Sequence, residues 1–140
     1  QGRIGKLKTI HAEFSAPDGP HPPEHWLNQP SGGGLWSAKT VYCLDAINHF
    51  APAPVEAAFC RADPFSGDDP QGRGHDGLVL CADGTRAHFT ARHDSVRREA
   101  ITLIGETGSI EMPWAFVNGG RPRTLTLTTG QSWGDEWGET

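Results

Sequence analysis

The spacing of hydrophobic positions changes twice along the chain. Over residues 6–14, Leu7, Ile10, Ala12 and Phe14 alternate loosely with polar residues, which predicts a strand. Residues 15–30 lose that pattern and are rich in Pro, His and Asn, so they read as a long loop anchored by Trp26 and Leu27. Ser31-Gly32-Gly33-Gly34 reads as a flexible turn. A helical period then takes over from residue 35 to residue 50. Val41, Cys43, Leu44, Ile47 and Phe50 spread over one wide apolar arc, and Ala38, Tyr42, Asp45 and His49 share the opposite stripe. The Ala51-Pro52-Ala53-Pro54 segment stops the helix, because proline supplies no backbone donor and clashes with the preceding turn.

After the helix the pattern is that of short strands. Residues 55–61 form a strand candidate, and residues 62–74 a polar loop. Residues 77–81 and 86–91 flank Asp83-Gly84, a hairpin signal because the turn needs positive φ. Residues 100–104 and 109–112 flank Gly105-Glu106-Thr107-Gly108, a second hairpin. Residues 123–128 alternate Leu with Thr, and residues 131–140 form a tail carrying Trp133 and Trp137. The order predicts an α+β domain: an open, mostly antiparallel β-sheet with a helix packed on one face. The other face of such a sheet needs a partner, so a homo-oligomer through the open sheet face is expected.

Composition narrows this picture. A length of 140 residues suits one domain, residues 1–140, with a real core. The 18 glycines and 11 prolines favour turns and short strands over a helical bundle. A net charge of -5 without a Lys/Arg run argues against nucleic acid, which selects basic patches. Cys43, Cys60 and Cys81 are odd in number and form no CxxC pair, so they are expected to be buried thiols in a reducing cytoplasm. No stretch reaches the ~20 apolar residues of a membrane span, and no signal segment opens the chain. The chain begins at Gln1 and is expected to be a fragment or an excised domain.

Candidate chemistry is sparse. His21-Pro22-Pro23-Glu24-His25 resembles an H-x-x-E-H metal motif, but that motif needs a helix and two prolines oppose one. No metal is expected. The glycine triplet lacks GxGxxG and a preceding strand, so a phosphate cradle is a poor reading. Either it lets a ligand approach the backbone closely or it is a plain turn. His11, His88 and His93 lie in or beside strands with no convergent spacing, and no Ser-His-Asp or Cys-His arrangement can be placed.

Five features taken in order carry a family resemblance. They are Gly2-Arg3-Ile4-Gly5-Lys6-Leu7, Trp26 ahead of Gly32-Gly33-Gly34, the helix bearing Tyr42-Cys43-Leu44-Asp45, the Asp83-Gly84 hairpin, and Ile104-Gly105-Glu106-Thr107-Gly108-Ser109-Ile110. Together they resemble the C-terminal domain of the glucose–fructose oxidoreductase, inositol dehydrogenase and rhizopine-catabolism (Gfo/Idh/MocA) family. The resemblance implies a substrate-binding and oligomerisation domain of an NAD(P)-dependent oxidoreductase acting on a sugar, cyclitol or related polyol. It implies that NAD or NADP is bound by an N-terminal Rossmann domain, which also supplies a lysine from a Glu-Lys-Pro motif. Neither that motif nor the glycine fingerprint occurs in this chain.

By the same resemblance, Tyr42 is the candidate catalytic acid/base, and Trp26, Gly33, Gly34, Lys39 and Asp45 are candidate substrate contacts. A phenol ionises only near about pH 10, so a tyrosine used as a base needs a cation beside it. Lys39 could supply one, as could a lysine from the other domain; its bland reading is a solvated surface side chain. The family places Asp four residues before the Tyr and Gly two before it, where this chain has Ala38 and Thr40. Asp45 could substitute for the missing carboxylate. An alternative therefore stands: a catalytically inactive relative acting as a ligand-binding or assembly module. A lipocalin-like all-β domain is a third option, against which the long helix argues.

Overall fold

The computed structural model describes residues 2–17, 21–63, 73–116 and 124–130. Strand β1 (Leu7–Ser15) comes first. Two short 3-10 turns, Trp26–Asn28 and Pro30–Gly32, lead to a helical stretch. That stretch opens with a π-helical segment, Trp36–Thr40, and continues as helix α1 (Val41–Phe50). Strands β2 (Val55–Ala62), β3 (Gly74–Cys81), β4 (Arg86–Arg92), β5 (Arg98–Gly105), β6 (Gly108–Pro113) and β7 (Thr126–Thr129) follow. The expected α+β class and its open sheet are borne out.

Among the described residues, seven strands form one sheet in the order β2-β3-β4-β1-β5-β6-β7. All neighbours are antiparallel except β1 and β4, which run parallel from Thr9↔Arg86 to Ser15↔Arg92. The first strand thus occupies the middle of the sheet. The chain between β1 and β4 builds the helix and the β2–β3–β4 meander, and β5 then pairs with the opposite edge of β1.

Helix α1 packs on the central strands, and the core lies between them. Ile10 and Ala12 of β1, Ala87 and Phe89 of β4, and Ile101 and Leu103 of β5 point into it, with Cys43, Ala46 and Ile47 from the helix. A buried aliphatic side chain of this kind contributes about 1.5–3 kcal/mol. Gly77 belongs to this packing, since a Cβ there would meet the Phe89 ring at 2.1 Å. Within α1 the inward residues are 43, 46, 47 and 50, whereas Val41 is exposed. Val41 lies about 200° around the wheel from Cys43, so it cannot share that stripe.

The thiols depart from expectation. Cys43 and Cys81 are buried, but Cys60 is exposed on the edge strand β2. Every residue of β2 is exposed, because the helix reaches only the middle of the sheet. Burial pushes the Cys43 thiol up to about 12, which leaves it protonated and inert. The expected strand over 123–128 is found as β7; Arg123 and the tail with Trp133 and Trp137 lie outside the described residues. Among the described residues, no helix is long and apolar enough to cross a membrane.

Candidate functional site

The site candidates lie on the loop before the helix and along its first turns. The loop before it is held by its own side chains. Asn28 Nδ2 donates to the carbonyls of His21 and Pro22, at 3.1 and 2.8 Å, and Gln29 Nε2 donates to that of Pro23 at 3.0 Å. His25 caps the first 3-10 turn by accepting from the Leu27 amide at 3.3 Å. Residues 21–25 run as turns, with the His21 and His25 rings stacked at 4.2 Å, so the helix that the metal motif requires does not form. Leu27 is buried and anchors the loop, while Trp26 stays 52% exposed.

The glycine triplet has an internal reason. A Cβ on Gly32 would meet the Trp26 carbonyl oxygen at 1.7 Å, and one on Gly33 would meet Ser37 Oγ at 2.1 Å. Gly33 and Gly34 also adopt φ of 75° and 51°, the left-handed region that glycine enters at no steric cost. The triplet begins within a 3-10 turn rather than after a strand, and Trp26 and Ser37 fill the space beside Gly32 and Gly33. It therefore does not fit the pyrophosphate cradle of a dinucleotide site.

The π-helical segment turns two consecutive residues, Lys39 and Thr40, inward. Such wide turns are often found at functional sites. Lys39 is 4% exposed, which overturns the reading of a solvated surface lysine. Its ammonium donates to the carbonyls of Ala16 at 2.6 Å and Arg92 at 3.1 Å, and to His93 Nδ1 at 3.0 Å. It also lies 5.9 Å from the centre of the Phe14 ring. These contacts tie the helix start to the ends of β1 and β4. Thr40 Oγ1 bonds His75 Nδ1 at 2.8 Å in a buried pair, and the exposed Trp36 meets the His75 ring edge-on at 5.7 Å. Burial holds the His75 imidazole below its ordinary range, and Asp63 and Asp76 partly oppose that.

Tyr42 is 51% exposed, on the flank of the helix where its ring reaches Phe14 of β1. Asp45 and His49 are exposed along the same stripe, and Ala38 is half-buried. The Tyr42 ring leans on Phe14 at 5.7 Å and on Phe116 at 6.5 Å, and those two stack on each other at 5.3 Å. The Tyr42 ring thus rests on two stacked phenyl rings, and a phenol oxygen can donate or accept. The exposure of Tyr42 followed from its helical spacing. The contacts of Phe14, Phe116, Thr40 and His75 did not, since each joins residues distant in the chain.

A second set of polar residues lies on the open sheet face. His11 and His88 stack there at 5.1 Å with an angle of 11° between ring planes. The sequence showed no convergence of these two; the parallel β1–β4 register sets them directly opposite each other. They border a depression of about 220 Å³ shared with Glu13, Thr90, Arg98 and Thr102.

Comparison with known proteins places this architecture. Residues 1–111 match the GFO/IDH/MocA C-terminal domain. The chain belongs to that family of oxidoreductase domains. A comparison with curated proteins found no match. Among solved structures, it is similar to aldose-aldose oxidoreductase from Caulobacter crescentus complexed with glycerol. That likeness has a TM-score of 0.78 at 20% identity, covering 94% of this chain and 39% of that one. It is also similar to KijD10, a 3-ketoreductase from Actinomadura kijaniata solved with NADP and TDP-benzene. There the TM-score is 0.68 at 22% identity, covering 91% and 42% of the two chains. A structure from Thermotoga maritima shares the fold at TM-score 0.71 and 11% identity. The chain spans about two fifths of the length of these structures.

Proposed function

We propose that this chain is the substrate-side domain of a cytoplasmic NAD(P)-dependent oxidoreductase acting on a sugar, cyclitol or related polyol. Family membership supports the reading, as do the solved relatives, which extend well beyond the part this chain matches. On this reading NAD or NADP is bound by the remainder of the protein, and hydride passes between the nicotinamide and an alcohol carbon.

The observation that carries the proposal is the placement of Tyr42. A half-exposed phenol stands on the flank of the helix, braced by Phe14 of β1 and by Phe116. In this role it exchanges the hydroxyl proton of the substrate. Asp45 on the same stripe, Trp26 and the backbone at Gly33 and Gly34 are its proposed partners in holding substrate hydroxyls. Lys39 acts through position: it clamps the π-helical segment that aims the stripe. Tyr42→Phe in the full-length protein should lower NAD(P)H turnover about 10²–10⁴-fold, the usual share of a general acid/base, without loss of fold by circular dichroism. Turnover unchanged in that variant would sink the assignment. No turnover by the wild type with any polyol or sugar would favour the second reading, a ligand-binding or assembly module. The replacement of the family's Asp by Ala38 favours that reading.

Self-association through the open sheet face belongs to the same proposal, with a second copy of this protein as the occupant. Phe59 is 68% exposed and Leu78 40% exposed, directly paired across β2 and β3 on that face. Two residues along the same strands Arg61 is in register with Asp76, and on the central strands Arg98 is bonded to Glu13 at 2.7 Å. A surface carrying both signs, with an apolar pair toward the β2 edge, can complement its own copy across a two-fold axis.

A further inference from the structure

We infer that the stacked His11–His88 pair makes self-association through the open sheet face sensitive to pH, with assembly favoured when both rings are neutral. The inference rests on the reading of that face as a self-association surface and adds its regulation.

Position comes first. The strand register aligns Phe59, Leu78, His88, His11, Thr102 and Glu111 in one row across the sheet. The two imidazoles sit at its middle, beside the exposed Leu78 and Phe59. Any copy packed on the row covers them. Two rings stacked at 5.1 Å also sense each other's charge directly.

The charged surroundings are nearly balanced. On β4, Arg86 and Arg92 flank His88, and Arg92 is held by Asp94 at 2.8 Å and Asp63 at 3.2 Å. On β1, Glu13 lies two residues from His11 and is bonded to Arg98 of β5. Asp76 of β3 accepts from Thr90 at 2.9 Å. Arg61 of β2 pairs in register with Asp76, and Glu111 of β6 closes the row beyond Thr102. Arginines and carboxylates thus offset one another on the face, and the two histidines tip the balance. Protonated in both copies, they place like charges against each other at the centre of the interface.

The sign follows from desolvation. Partial desolvation by its neighbours already holds the exposed His11 below the ordinary imidazole range, and His88 lowers it further. A second copy over the pair removes more water and disfavours imidazolium again. The assembled form therefore binds fewer protons than the free chain, so assembly is strongest above the imidazole range and weakens as pH falls through it.

Sedimentation velocity of the full-length protein at about pH 7.5 and about pH 5.5 tests this. It should be run on the wild type, the His11→Gln/His88→Gln double variant and Phe59→Asp, with circular dichroism reporting the fold. The dissociation constant of the wild type should rise at least about tenfold at the lower pH, and that of the double variant should stay flat. Identical pH profiles for the two proteins overturn the proposal while leaving the interface standing. A double variant that no longer assembles moves the test to His88→Gln alone, which must show a shallower pH dependence than wild type; an unchanged slope overturns the proposal. Phe59→Asp assembling like wild type, or a wild type monomeric throughout, overturns the interface reading and this inference with it.

Discussion

Gly32 and Gly33 look alike in the sequence, yet the structure gives them different constraints. At Gly32 the obstacle is the Trp26 backbone, which cannot rotate away. At Gly33 the obstacle is the Ser37 hydroxyl, which can, but φ is 75°. Gly32→Ala should therefore cost more than Gly33→Ala. The expected losses are about 2–4 kcal/mol for the first and about 1–2 kcal/mol for the second. Urea denaturation of the two variants measures the ordering directly, and equal costs would show that strain rather than contact governs the turn. A glycine triplet in a sequence announces a turn; which glycine meets backbone and which meets side chain depends on a loop folded back over six residues.

Between Gly34 and Phe50 the element itself was readable, because helical period and a proline stop are both local signals. The exposed placement of Tyr42, Asp45 and His49 also followed from 100° per residue. The π-helical widening at Trp36–Thr40 had no such signal. It buries Lys39, a residue whose charge argues for the surface, because the carbonyls of Ala16 and Arg92 are waiting for its ammonium. The Thr40–His75 bond is the second clasp of that segment. Thr40→Val removes one partner and leaves a buried imidazole nitrogen unsatisfied, so it should cost about 1–3 kcal/mol. Thr40→Ser, which keeps the hydroxyl, should recover most of that loss in thermal melts. If Ser behaves like Val, the clasp acts through the methyl group and the hydrogen bond matters little.

For the whole molecule, the consequence of His75 is a dependence of stability on acid. Its folded imidazole is held below the unfolded value of 6.5 by burial. At neutral pH both states are unprotonated and nothing is lost. As pH falls below that value the unfolded chain takes up a proton that the fold resists, so stability declines with falling pH. The slope from one such group is at most about 1.4 kcal/mol per pH unit. His75→Gln should flatten the decline in urea midpoints between about pH 7 and 5.5. A decline of unchanged steepness in that variant would assign it to other groups.

The sequence by itself determined what is local. Alternation and the Asp83-Gly84 and Gly105–Gly108 turns placed the hairpins, the apolar arc placed the helix, and ordered short motifs pointed to the family. Those signals depend on neighbours within a few residues, so no tertiary knowledge is needed to read them. Tertiary structure decided what joins distant segments. It set β1 in the middle of the sheet, parallel to β4, and thereby stacked His11 on His88 across 77 residues of chain. It buried Lys39 and left Cys60 exposed, against their usual preferences. Strand pairing of that range is chosen by the summed packing of every strand and the helix above them, and no single stretch of sequence carries that sum.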